Sequence, residues 1–170
     1  MDFDDELDHD QEEIGSDELL SDDNLRLPAS ANTLVRLHAI RAWLTRRQKE
    51  TTIEIGEAAL TLQEAMQEEA FATRLRRRER EAQEQQLQYT QQALSQAQVR
   101  LATYEEAEAM LEDCVAHTTS GERVLVEYYL MLDEMMQREA DPSVNSSLPR
   151  LHALADVQHR IEHVGAPNEE

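Results

Sequence analysis

The most regular pattern in this chain lies between residues 87 and 111, which read LQYTQQALSQAQVRLATYEEAEAML. Leu87, Leu94 and Leu101 recur at intervals of seven, the spacing of one core row in a coiled coil. The companion row and the end of the series consist of Thr90, Ala97, Tyr104, Leu111 and Val115. Because threonine and alanine bury little apolar area, we expect this seam to need a partner chain. The partner-binding residues predicted here are Leu87, Leu94, Ala97, Leu101, Tyr104 and Leu111.

The composition favours helices throughout the chain. Its 170 residues include only 4 glycines and 4 prolines, and 4% of them are aromatic while 31% are charged. These values exclude a β-sandwich, a glycine-rich nucleotide-binding fold and a collagen-like chain. With few bulky side chains to fill a compact core, the apolar surface is expected to be buried as narrow stripes between helices. The sequence therefore predicts an all-α fold, an elongated coiled coil with a C-terminal helical hairpin.

Helix formers and helix breakers divide the chain into predicted segments. They are an acidic, disordered arm (1–28), a long coiled-coil helix with a bend near 51–56 (29–120), a helical hairpin (121–164) and a tail (165–170). Ser30 or Asn32 is expected to cap the start of the long helix. The bend is expected where β-branched residues and Gly56 lower the helix propensity. The long helix should end at the hydroxyl residues that precede Gly121.

The predicted disorder of the N-terminal arm follows from its charge. Residues 1–25 carry 12 acidic and no basic side chains, a composition that buries too little apolar surface to offset chain entropy. Phe3 and several leucines interleave these carboxylates. Two interpretations remain open: the arm is a docking peptide for a basic groove on a partner, or it is a solubilising tail.

The uneven charge limits the classes of partner. The formal net charge is -20, and only residues 26–100 are cationic, with 12 basic against 9 acidic side chains. This distribution argues against a nucleic-acid-binding protein. Cys114 is the single cysteine, which excludes an internal disulfide and fits a reducing compartment. Neither a signal peptide nor a membrane span is recognisable, so a cytoplasmic protein with no membrane partner is expected.

Two further groups of residues are predicted to bind partners. Arg74, Arg76, Arg77 and Arg78 form, with Arg80, a concentrated basic cluster that would suit acidic surfaces such as tubulin or acidic coiled coils. Ion pairing with glutamates on the same helix is the alternative. The second group consists of Tyr128, Tyr129 and Leu132, which belong to the bulkiest apolar stripe in the chain.

No pattern in the sequence predicts catalysis. His159 and His163 share a helix face, but two histidines leave a zinc ion under-coordinated, and they are interpreted as surface residues. The acidic block at residues 105–113 is interpreted as a solvated face, because a narrow rod offers no concave site that would perturb carboxylate pKa values. We therefore expect no enzyme activity, no cofactor, no metal and no small-molecule substrate.

Two segments resemble a known family. Residues 71–75, FATRL, and residues 126–136, VEYYLMLDEMM, look like ciliary coiled-coil proteins related to inner-dynein-arm tethers and sperm-tail coiled-coil proteins. The similarity covers about residues 60–164, with a closing helix that carries Leu148, Arg150, Leu151 and Leu154. It implies an axonemal scaffold that lies along doublet microtubules and pairs with a related coiled-coil chain.

The expected function is that of a structural protein. The leading interpretation is a coiled-coil subunit of a large cytoskeletal assembly in a cilium or flagellum, associated with microtubules and paired with another coiled-coil protein. One alternative is a helical subunit of a nuclear or trafficking complex. Another is a regulatory binding module that folds only on its partner.

Overall fold

The structure is a computed structural model that describes residues 16–28, 30–71, 77–141 and 147–164. Within these ranges the fold is all-α, as predicted, with five helices and no strand. They are α1 (Ser16–Ser21), α2 (Thr33–Phe71), α3 (Arg77–His117), α4 (Gly121–Ala140) and α5 (Leu148–Val164). None of these helices has the length and apolarity that crossing a membrane requires.

The two long helices α2 and α3 pack against each other in opposite directions. Three pairs of side chains join them: Arg41 with Glu112, Gln48 with Glu108, and Glu54 with Arg100. The residue number rises along α2 as it falls along α3, so the pair is antiparallel. At 1.5 Å per residue each helix is about 60 Å long.

This hairpin corrects the expectation of one continuous helix over residues 29–120. Helix α2 ends at Phe71 and α3 begins at Arg77. Folding back lets the apolar row of each helix cover that of the other, whereas one continuous helix would leave both rows in water. Helix α2 continues through residues 51–56, where Thr51 and Thr52 donate their hydroxyls to carbonyls four residues earlier.

One hydrophobic core lies at one end of the hairpin. It is formed by α4, α5 and the facing ends of α2 and α3, and its fully buried side chains include Leu44, Leu111, Tyr128, Leu132 and Leu154. We call the head residues 33–51 and 97–117 together with α4 and α5. The stalk is the remainder of the hairpin, residues 52–68 and 78–96. In the stalk Thr90 alone is buried, so nearly all burial in the hairpin belongs to the head.

Local chemistry accounts for the helix starts. The Oδ1 of Asn32 accepts a hydrogen bond of 2.9 Å from the backbone N–H of Val35, so Asn32 caps α2. Helix α4 begins at Gly121, beside the start of α2. A Cβ at Gly121 would lie 3.1 Å from the Cγ2 of Thr33, so the missing side chain permits this close approach.

The expectation of a disordered N-terminal arm is wrong for residues 16–28, which we call the strap. The strap lies against the head, and three of its leucines, Leu20, Leu25 and Leu27, pack on the core. Guanidinium groups of Arg36 and Arg160 donate hydrogen bonds to its main-chain carbonyls. These bonds supply the order that the acidic composition by itself does not. Residues 1–15 and the predicted 165–170 tail lie outside the described residues.

Two buried tyrosines predict how stability depends on pH. Burial raises the pKa of Tyr104 and Tyr128, and the nearby Asp156 raises that of Tyr104 further. Tyrosines of the unfolded chain ionise near pH ~10, while these two stay protonated in the fold. The free energy of unfolding should therefore fall as the pH rises above about 10.

Phenolate absorbance and circular dichroism, followed together during an alkaline titration, test this expectation. The phenolate signals of Tyr104 and Tyr128 should appear only when the helical signal is lost. Tyr104→Phe and Tyr128→Phe variants identify the two signals. Ionisation of both residues in a chain that keeps its helical signal would contradict the prediction.

Candidate interaction surface on the stalk

The heptad row predicted on α3 faces inward. Ala97, Tyr104 and Leu111 of the companion row are buried, and the leucines of the other row, Leu87, Leu94 and Leu101, are half-buried. The surface they meet is α2 of the same chain. The partner-binding role predicted for Ala97, Tyr104 and Leu111 is therefore corrected, because these side chains are already buried within the molecule. For the half-buried Leu87, Leu94 and Leu101 it stays a prediction.

Helix α2 supplies the complementary row at the same spacing. Its inward positions are Leu44, Gln48, Thr51, Ile55, Ala58, Leu62 and Ala65, which alternate in steps of four and three. The Nε2 of Gln48 donates to the Oε2 of Glu108 over 2.7 Å, and this polar pair lies inside the row. The two antiparallel helices thus face each other with apolar rows of matched heptad spacing within one chain.

The seam between α2 and α3 is incompletely covered in the stalk. Leu62, Leu87 and Leu94 occupy seam positions there, yet each is only half-buried. In the head the equivalent seam residues Leu44 and Leu111 are fully buried because α4 and α5 cover them. The stalk has the same seam without the covering helices.

A second row of residues on α2 lies beside this seam and contains no charge. Its members are all exposed: Thr52, Ile53, Gly56, Ala59, Leu60, Gln63, Met66 and Gln67, which we call the α2 stripe. Ile53, Leu60 and Met66 are 61%, 63% and 55% exposed, high values for large apolar side chains. Residues 85–99 of α3 also contain no charged side chain. The stalk thus presents a long uncharged surface in a chain of net charge -20.

The apolar part of this surface is concave. A hollow of about 410 Å³ opens beside the seam and is lined by Ala59, Leu62, Gln63, Met66, Gln67 and Leu94. Gly56 lies one turn before Ala59, and a Cβ at Gly56 would meet no atom within 4 Å. Hence the α2 stripe borders a shallow hollow and leaves open space in which side chains of another helix can lie.

The described end of the basic cluster lies at the distal tip of the stalk. Arg74 and Arg76 fall outside the described residues, Arg77 begins α3, and Arg78 is exposed in its first turn. Arg80 is also exposed, two residues further along α3. The hairpin therefore places this end of the predicted cluster far from the head, next to the α2–α3 connection.

The third predicted group lies in the head. Tyr128 and Leu132 are fully buried in the core, and the Tyr128 hydroxyl donates to the Ala107 carbonyl over 2.9 Å. Their predicted partner-binding role is corrected, because their side chains are inaccessible. Tyr129 is half-buried, and its hydroxyl donates to Glu162 over 3.1 Å.

The acidic block at 105–113 is more than the solvated face that was expected. Glu106, Glu108 and Glu112 bind Arg150, Gln48 and Arg41 respectively. These contacts join α3 to α2 and to α5, so the block helps to hold the head together. Among the described residues, no group of three or more His, Cys, Asp or Glu side chains has a metal-binding arrangement.

Sequence reasoning missed the α2 stripe. Ile53, Leu60 and Met66 lie outside the seam positions of α2, and the heptad pattern of α3 does not show which α2 residues α3 would leave exposed. The absence of charge over residues 85–99 and from one face of α2 between residues 52 and 67 is the sequence signal that would have found the surface. No family model, curated protein or solved structure matches this chain.

Proposed function

We propose that this chain is a non-enzymatic scaffold subunit whose stalk binds one helix of another coiled-coil protein within a larger cytoskeletal assembly. The observation that carries the proposal is the half-exposed seam of the stalk with the exposed α2 stripe beside it. A third helix laid along the hollow would cover Leu62, Leu94 and Met66, as α4 and α5 cover the seam in the head. Burial of this apolar area is the driving force for association.

The charge around the stripe defines the chemistry of the partner helix. Glu57 and Glu64 lie one turn after Ile53 and Leu60, so they border the stripe. Residues 52–68 contain four glutamates and no basic side chain. The partner helix should therefore carry an uncharged face of leucine, alanine or glutamine, flanked by lysine or arginine.

The basic tip supports a cytoskeletal location for the assembly. Arg78 is exposed there, and tubulin or an acidic coiled coil offers carboxylates suited to bidentate pairing with an arginine. The resemblance of residues 71–75 and 126–136 to ciliary coiled-coil proteins supports an axoneme as the particular site. The buried core of the head argues against the alternative of a module that folds only on its partner.

The experiment is to express the tagged full-length chain in ciliated cells, with or without Leu60→Glu and Met66→Glu. Two carboxylates in the docking surface should weaken association by about tenfold or more, because a charge is costly to desolvate against apolar groups. The matched control carries Thr61→Glu and Ala82→Glu. This control adds the same charge to exposed stalk positions outside the α2 stripe.

The measurements are the fraction of chain retained on detergent-extracted axonemes and the sedimentation of the extracted complex. The wild type and the control should remain on the axoneme in a complex larger than the 19.5 kDa chain, whereas the stripe variant should be released. Enrichment on nuclear or vesicular structures instead would replace the axonemal location by the alternative assembly. Equal retention of all three chains would contradict the docking surface.

A further inference from the structure

The strap lies in a groove in which arginines of α2 and α5 bind its main-chain carbonyls. Arg160 donates to the carbonyls of Leu20 and Asp22 at 2.8 and 2.6 Å. Arg36 donates to the carbonyl of Pro28 at 2.9 Å, and Arg46 donates to that of Ser21 at 3.1 Å. These bonds recognise the main chain, so they would hold any segment that follows the same path.

Only a few polar contacts involve the side chains of the strap. The Nε1 of Trp43 donates to the Oδ1 of Asp23 at 2.6 Å, and the Nη2 of Arg47 lies 3.3 Å from its Oδ2. Leu20, Leu25 and Leu27 pack on the core without being fully buried. The groove therefore selects an acidic residue with leucines on both sides.

The strap leaves two arginine N–H donors without an acceptor. Among the described residues, the Nε atoms of Arg47 and Arg160 are buried and donate to no acceptor. An unpaired buried donor costs the free energy of its desolvation, so a ligand that reaches these atoms would gain over the strap. Helix α1, with six residues, is also too short to be stable by itself. The strap is thus held by tertiary contacts to the groove, which a competing segment of similar chemistry could replace.

We propose that this groove is a binding site for an acidic, leucine-bearing peptide of a partner protein, and that the strap occupies it in the free chain. The basic groove favours such a peptide, because the strap itself contains four acidic residues against one arginine. Covalent attachment gives the strap a high effective concentration, so the partner peptide binds the wild-type chain weakly. The site is distinct from the stalk and does not depend on its function.

The test uses a labelled synthetic peptide of residues 16–28 and three full-length chains. The wild-type chain is compared with a strap variant carrying Leu25→Asp and Leu27→Asp, and with the same variant carrying Arg47→Gln as well. The strap variant should bind the peptide about tenfold or more tightly than the wild type, because its own strap competes less. Adding Arg47→Gln should weaken the binding of this peptide. For the chain that carries Arg47→Gln, replacing Asp23 by asparagine in the peptide should then lower the affinity little further.

A second measurement covers the case in which the strap variant does not fold. Amide hydrogen exchange is followed on the wild-type chain with increasing peptide, and the strap amides should exchange faster as the peptide displaces them. The fluorescence of Trp43, whose indole binds the strap, should change over the same concentrations.

Two results would overturn the proposal. The first is that the strap cannot be displaced. This would appear as equal peptide affinity of the wild type and a folded strap variant, or as amide hydrogen exchange of the strap that excess peptide leaves unchanged. Either observation would make the strap a permanent part of the head. The second is a dimer whose amount rises with protein concentration and which excess peptide dissociates. That dimer would assign the groove to the strap of a second copy instead of a partner protein.

Discussion

Replacing Leu154 by alanine should lower the free energy of unfolding by about 3 kcal/mol, the typical loss for a fully buried leucine. Leu154 lies on α5 and is completely buried in the core of the head. The substitution removes apolar contacts and leaves a cavity that the surrounding helices fill only in part. Equilibrium unfolding in urea measures the loss as a midpoint lower by about 1–2 M.

Trp43 makes this measurement specific to the head. It is the single tryptophan of the chain, is buried, and packs edge-on against Tyr104 with ring centroids 6.1 Å apart. Leu148→Ala on the same helix and Leu60→Ala on the stalk are matched controls, because both leucines are largely exposed. In these two variants the free energy of unfolding reported by Trp43 should change by less than ~0.5 kcal/mol. A similar loss for all three variants would contradict the division into head and stalk.

Replacing Arg160 by glutamine should release the strap and lower the free energy of unfolding by about 2–4 kcal/mol. The Arg160 side chain is buried, and its guanidinium group donates to three strap carbonyls, those of Leu20, Asp22 and Leu25. Burial lowers the pKa of Arg160, and the nearby Asp23 and Asp22 oppose this shift. Glutamine is too short to reach all three carbonyls, so the strap loses its main-chain anchor.

Limited proteolysis and urea unfolding measure the two parts of this effect. Cleavage within residues 16–28 should become faster, while the helical content of α2 to α5 is retained. Arg138→Gln is the control, because Arg138 is exposed and pairs only with Glu134 on its own helix. Unchanged cleavage of the Arg160→Gln strap would show that the leucines alone hold it.

The heptad row of α3 and the α2 stripe differ in how far the sequence predicts them. The heptad row of α3 was predicted in full, because the positions that face inward on a helix follow from its period of 3.6 residues. Its partner was not predicted, because a helix of the same chain and a helix of another chain require the same apolar spacing. The α2 stripe was missed for the same reason, since its exposure depends on where α3 lies.

The sequence by itself determined the all-α class, the inward row of α3 and the helix boundary at Gly121, and it narrowed the cap of α2 to Ser30 or Asn32. Each of these depends on residues within a few turns of one another, so local propensity and periodicity are sufficient. Only the tertiary structure decided that α2 ends at Phe71 and pairs with α3, since no glycine or proline lies between residues 57 and 120 to mark a turn. It also decided the order of the strap, whose hydrogen bonds to Arg160 join residues at least 135 positions apart. Contacts this distant leave no local pattern, because they form only when the fold brings the segments together.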